Sequence, residues 1–197
     1  MKNDNRVAGL LKEASKQAHL DTERTLLKKL KAISTVGEYG KILSLFYGYY
    51  QPIEQAVQQY ISAELLPDIK TRQRSRFILH DLQILQVYHE AILAEDLPII
   101  SSTAQAAGAL YVLEGSTLGG QYIVKMLQQN PALQQHQHAI QFFDGYKDQN
   151  ELMWDQFKQA LDLLVQTDEE QELAEKAAIE TFTKMNHQIL KAEYAWN

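Results

Sequence analysis

The chain of 197 residues contains no cysteine. That removes disulfides, thiolate nucleophiles, iron–sulfur clusters and cysteine-based zinc sites from consideration. Proline is scarce, with four residues, and glycine numbers nine, so long low-complexity linkers are not expected. Basic runs are missing and the net charge is −6, which argues against nucleic acid or an anionic membrane as the main partner. The N-terminal "MKNDNRVAGLLKEASKQ" lacks the apolar core of a signal peptide. From Leu97 to Val124 the only charged residue is Glu114, yet Ser, Thr, Gln and Gly interrupt this stretch. It reads as a buried helix rather than a membrane span. The expectation is a cytoplasmic protein with no membrane partner.

What is present is helical periodicity. It predicts helices over Arg6–Leu30, Glu38–Leu65 (bent or interrupted at Pro52), Thr71–Leu93, a stretch from Ser101 or Ser102 to about Gln129, Glu151–Leu164 and Asp168–Tyr194. No hairpin dipeptide separates alternating runs, so strands are not needed. The expected architecture is one all-α, single-domain helical bundle over 1–197.

The sharpest anomaly is "AGALYVLEGSTLGGQYIVKML", Ala107–Leu127, which holds four of the nine glycines. Gly costs roughly 1 kcal/mol against Ala inside a helix. Gly115, Gly119 and Gly120 fall on nearly one face, which predicts something lying close against that backbone. Tight packing of small residues between helices would serve as well. On the first helix, His19 precedes Glu23 by one turn, and Lys12 and Lys16 lie near the same side. A carboxylate at that spacing can orient an imidazole whose other nitrogen binds a metal, and the lysines would suit a ligand's carboxylates. A solvated His among ordinary helix pairs fits the same spacing. Together, the two signals suit one ligand: a flat macrocycle held by an imidazole on one face and bare main chain on the other.

The motifs resemble those of bacterial haem oxygenases, particularly those supplying biliverdin to phytochromes. "ALYVLEGSTLGGQ" is similar to that family's distal helix and "LKEASKQAHLDTE" to its proximal helix. "FYGYYQPIE", "LHDLQIL", "FFDGY", "MWDQFKQAL" and "AAIETFTKM" extend the resemblance over nearly the whole chain. It implies haem as cofactor and substrate, with O2 and electrons opening the ring to biliverdin and releasing CO and Fe2+. The implied donor is a ferredoxin, a flavodoxin or an NADPH-linked reductase, and a bacteriophytochrome is the implied biliverdin acceptor. His19 would be the axial iron ligand and Glu23 its hydrogen-bonding partner. Gly115, Ser116, Gly119 and Gly120 would form the distal helix, and Lys12, Lys16 and Lys158 would meet the propionates. Ser116 stands where mammalian-type members have Asp, and "GYKDQNELMW" lacks a glycine and a Thr-Gly pair that the family pattern contains.

Other residues read as bland. His136 and His138 sit in a Gln-rich turn, His80 and His89 are nine apart, and His187 is on the last helix. Tyr47, Tyr49 and Tyr50 suit core packing, though one hydroxyl would serve a pocket. Glu169, Glu170, Glu172 and Glu175 read as a solvated acidic face at a helix start. Related folds host thiamin-degrading enzymes, which need the missing Cys, and di-iron oxidases, for which Glu54, His80, Asp81, Glu114, Glu180 and His187 are the available ligands. A haem-binding protein without turnover remains a third reading.

Overall fold

The computed structural model describes residues 6–87 and 93–195, and their side chains as far as 191. Among these are seven α-helices and no strand: α1 (Arg6–Lys31), α2 (Val36–Tyr60), α3 (Ser75–Leu85), α4 (Thr103–Gln128), α5 (Gln141–Asp144), α6 (Asn150–Leu164) and α7 (Asp168–Ala195). The expected all-α bundle is what forms. α4 is its centre and packs against α7, α6, α2 and α5, while α1 lies along α7. The first half of α4 is buried nearly all round, from Ala104 through Glu114. This follows from its composition, since between Ala104 and that glutamate every residue except Gln105 is small, apolar or aromatic.

The helix boundaries that differ from expectation do so for local reasons. α2 starts at Val36 because Thr35 and Glu38 form a capping box: the Thr35 hydroxyl accepts from the Glu38 N–H at 3.2 Å and the Glu38 carboxylate from the Thr35 N–H at 3.1 Å. α2 stays helical through Pro52 and ends at Tyr60, where Ile61 turns extended. α3 is shorter than the predicted Thr71–Leu93. Its start is fixed from outside, by the carboxylate of Glu54 on α2, which accepts the backbone N–H groups of Arg74 and Ser75. It ends at Gln86, which adopts φ 54°, a left-handed conformation that stops a helix. The predicted part containing His89 lies outside the described residues. α4 begins, as expected, behind a serine cap: the Ser102 hydroxyl accepts from the Gln105 N–H at 3.2 Å.

Candidate functional site

A cavity of about 740 Å³ opens between α1 and α4, within the size range of small-molecule and cofactor sites. α1 contributes Lys12, Lys16, His19 and Glu23. α4 contributes Gly115, Ser116, Gly119 and Tyr122. Aromatic rings fill in from four other helices: Phe46 and Tyr50 of α2, Phe142 and Phe143 of α5, Trp154 of α6 and Phe182 of α7. The wall is therefore largely apolar, with its charges confined to α1.

His19 packs edge-on against Phe182 with ring centroids 5.1 Å apart, which fixes one side of the imidazole while the rest borders the cavity. Glu23 borders it one turn further on. Among the described residues no hydrogen bond joins the two side chains, so the expected pairing is a matter of shared face and not of contact. Lys12 and Lys16 are exposed at the same wall. Lys158 is not on that wall; it pairs with Asp155 of its own helix at 2.8 Å.

The glycines of α4 divide into two kinds. A Cβ at Gly119 would meet nothing within 4 Å, and one at Gly115 would only touch Trp154 at 3.8 Å. Gly119 faces open space and Gly115 has room for a Cβ beside Trp154, so the bare main chain there is a cradle that larger side chains would fill. Gly120 is not on the cavity wall: a Cβ there would collide with the Phe143 carbonyl oxygen of α5. Gly108, not singled out from the sequence, has the same role against the Ala174 carbonyl of α7. The helical spacing is compatible with both kinds, because Gly120 lies 100° round the helix from Gly119.

Ser116 is held by two hydrogen bonds. The buried Tyr50 hydroxyl donates to its Oγ at 3.2 Å, and the Ser116 hydroxyl donates to the Leu113 carbonyl at 2.6 Å. Burial pushes the Tyr50 phenol up to about 12, so it keeps its proton at neutral pH. Tyr50 was legible as core; its reach to Ser116 was not, because α2 and α4 are distant in sequence. Tyr49 is the plain core residue, fully buried with its hydroxyl on the Thr181 carbonyl at 2.6 Å.

Behind the cavity wall lie Glu54, Arg72, Arg74 and Glu114, all at most 4 % exposed. Burial raises both glutamates from their ordinary range, against the pull of their hydrogen bonds and neighbouring arginines. These carboxylates bear directly on the di-iron reading. Glu54 caps α3, Glu114 is bound by Arg72 and Tyr146, and Asp81 accepts from the N–H groups of Gln141 and Phe142. His187 is exposed near Asp96 at 3.8 Å, and His80 is exposed on α3. Among the described residues no three His, Asp or Glu side chains converge to hold a metal ion. The di-iron alternative therefore falls on the engagement of its own ligands.

The donor set on the cavity is instead one imidazole with a bare backbone opposite, which fits a flat, iron-containing macrocycle whose edge carries carboxylates. No described helix is long and apolar enough to cross a membrane. Comparison with known proteins bears on the family and the fold. A family model described as Heme oxygenase matches residues 5–192. A haem oxygenase of Xanthomonas campestris pv. campestris (strain 8004) is 28% identical over 130 residues, covering 66% of this chain and 74% of that one. The haem oxygenase of Neisseria meningitidis, solved with NO and CO bound, superposes with a TM-score of 0.77 at 21% identity, over 94% of this chain and 90% of that one.

Proposed function

The chain belongs to the haem oxygenase family, and from that premise we propose that it opens haem to biliverdin in the cytoplasm, releasing CO and Fe2+. The reaction uses O2 and electrons from a ferredoxin, a flavodoxin or an NADPH-linked reductase, and a bacteriophytochrome is the proposed acceptor of the product. The observation that carries this reading is the cavity between His19 and the side-chain-free turn at Gly115 and Gly119.

Bound haem supplies the O2 chemistry and is itself the molecule oxidised, so the protein's part is binding, orientation and electrostatics. His19 would hold the iron from α1. Glu23, on the same wall, would orient the imidazole once its ring is fixed by the metal. Lys12 and Lys16 would meet the propionates. Gly115 and Gly119 leave room for a small diatomic and water on the opposite face. The polar group nearest that face on α4 is Ser116, and its proton is already committed to the Leu113 carbonyl. Tyr50 occupies one lone pair of the same oxygen. Ser116 therefore acts as an acceptor that anchors water, not as an acid, and protons reach the site through that water. A positioned water of this kind would supply protons without a strongly acidic side chain beside the haem.

The test is spectroscopic. Purified protein titrated with hemin should develop a Soret band. Under air, with ascorbate or a ferredoxin and its reductase, that band should decay as a broad band grows toward the red. A Soret band that persists under these conditions would indicate a haem binder without turnover, and no Soret band at all would remove the haem reading. His19→Ala should lose turnover and the axial-ligand signature; an unchanged spectrum and rate would remove His19 from the assignment.

A further inference from the structure

Arg72, Glu114 and Tyr146 are not on the cavity wall, yet Arg72 and Glu114 are each only 1 % exposed, where an ion pair is costly to bury. Arg72, from the segment between α2 and α3, has all three guanidinium nitrogens engaged. Its Nε donates to Asp68 at 2.9 Å and its Nη2 is ion-paired with the same carboxylate at 2.8 Å, its Nη1 donates to Glu114, and both Nη atoms donate to the Met153 carbonyl at 3.2 Å. Tyr146 donates to the other carboxylate oxygen of Glu114 at 2.7 Å. Glu114 thus takes one donor on each oxygen, from two different segments. The Thr117 hydroxyl closes on the Glu114 carbonyl at 2.7 Å, which ties the next turn of α4 to the same point.

The position of this unit along the chain is what gives it a role. The residue after Glu114 is Gly115, and the residue after Met153 is Trp154. A Cβ at Gly115 would lie 3.8 Å from the Trp154 ring, so these two neighbours face each other at the cavity wall. Arg72 is therefore a staple placed one residue behind both sides of that contact. Apolar residues of similar volume would hold α4 and α6 together at least as firmly. They would not fix one separation, whereas a guanidinium fork on a carboxylate and a carbonyl does.

We propose that Arg72, Glu114 and Tyr146 form a positioning unit that sets where the Trp154 indole stands against the Gly115 main chain, and with it the shape of the cavity wall on the α4 side. Only the identity of the ligand rests on the haem oxygenase reading; the staple itself does not.

Tyr146→Phe tests this by deleting one hydroxyl. Trp154 is the reporter, once Trp196, which lies outside the described residues, is replaced by Phe. Tyr39→Phe is the control, since it deletes a still more buried hydroxyl, bonded to the Ala139 carbonyl at 2.8 Å, away from the cavity. Without ligand, Tyr146→Phe should make acrylamide quenching of Trp154 about twofold stronger, as a loosened close-packed contact admits the quencher. Hemin affinity should fall several-fold, because the Trp154 ring that the unit positions is part of the cavity wall. Tyr39→Phe should leave both quantities at the parent values. Unchanged quenching, unchanged hemin affinity, or an equal response to Tyr39→Phe each overturns the proposal. If the parent protein binds no hemin, the haem reading fails and the quenching comparison alone decides the staple.

Discussion

The back and the front of α4 are built from the same few residue types and do opposite things with them. On the back, Gly120 lets the carbonyl of Phe143 come where a Cβ would stand and Glu114 is locked by Arg72 and Tyr146, and two turns before Gly115, in the buried first half of the helix, Gly108 does the same for the Ala174 carbonyl. On the front, Gly115 and Gly119 have little or nothing opposite them, and Ser116 is the polar group on that turn. A missing Cβ therefore means contact on one face and space on the other. Rigidity on the back is what allows emptiness on the front: a helix weakened by glycine holds an open cradle because its other side is fixed.

The back should break first. Glu114→Ala leaves the buried Arg72 with only the half-exposed Asp68 as an anionic partner, which should cost about 4 kcal/mol in urea denaturation. A loss below about 1 kcal/mol, the scale of a surface pair, would mean that the pair is not desolvated as its burial implies. Gly120→Ala and Gly108→Ala come next. Each forces a methyl group into a backbone carbonyl that belongs to another helix, so neither collision can be relieved by turning a side chain. About 3 kcal/mol of stability should be lost, or roughly 10 °C in Tm. If either variant were neutral, the division of α4 into two faces would be wrong at that position.

The bundle was legible because its signal is local. Helical period and the serine cap at Ser102 are written in consecutive residues, and so are His19 and the glycine motif that meet across the cavity. The capping box at Thr35 and Glu38 is equally local, since Thr and Glu at that spacing announce it. The rest is tertiary. Nothing near Ser75 in sequence says that Glu54 will cap α3, and nothing near Gly120 distinguishes it from Gly119 until Phe143 is in place. Arg72 and Arg74 fall inside the helix predicted over Thr71–Leu93, yet they precede α3 and both are 1 % exposed. The charges behind the site were invisible because their partners come from other helices.

Asp81 sharpens the comparison by way of pH. Its carboxylate is buried and receives the N–H groups of Gln141 and Phe142 at 3.0 and 2.9 Å, so it holds α5, whose Phe142 and Phe143 line the cavity. Burial pushes its carboxyl up from 3.8 to about 6. Because the folded value lies above the unfolded one, the folded chain keeps a proton that the unfolded chain has released between about pH 4 and 6. That contribution is complete below pH 4 and is lost as pH rises through 6. The difference of about 2 units corresponds to up to about 3 kcal/mol. Stability measured against pH for the parent and for Asp81→Asn should differ by a sloping curve in that window; parallel curves would mean that Asp81 is not the group responsible.

The smallest effect belongs to the front of the helix, and it carries a change of sign. Gly119→Ala adds a methyl group that meets nothing within 4 Å, so only the helix propensity changes. Stability should rise by about 0.5–1 kcal/mol, in contrast to the same substitution one residue later. Gly119→Leu keeps most of that gain in the ligand-free protein and fills the cradle, so hemin binding should fall while Tm does not. A helix that gains stability when its glycine is removed keeps that glycine for the space in front of it. If Gly119→Ala destabilised the ligand-free protein, the open cradle would already be occupied by something in the fold, and the front of α4 would be packing after all.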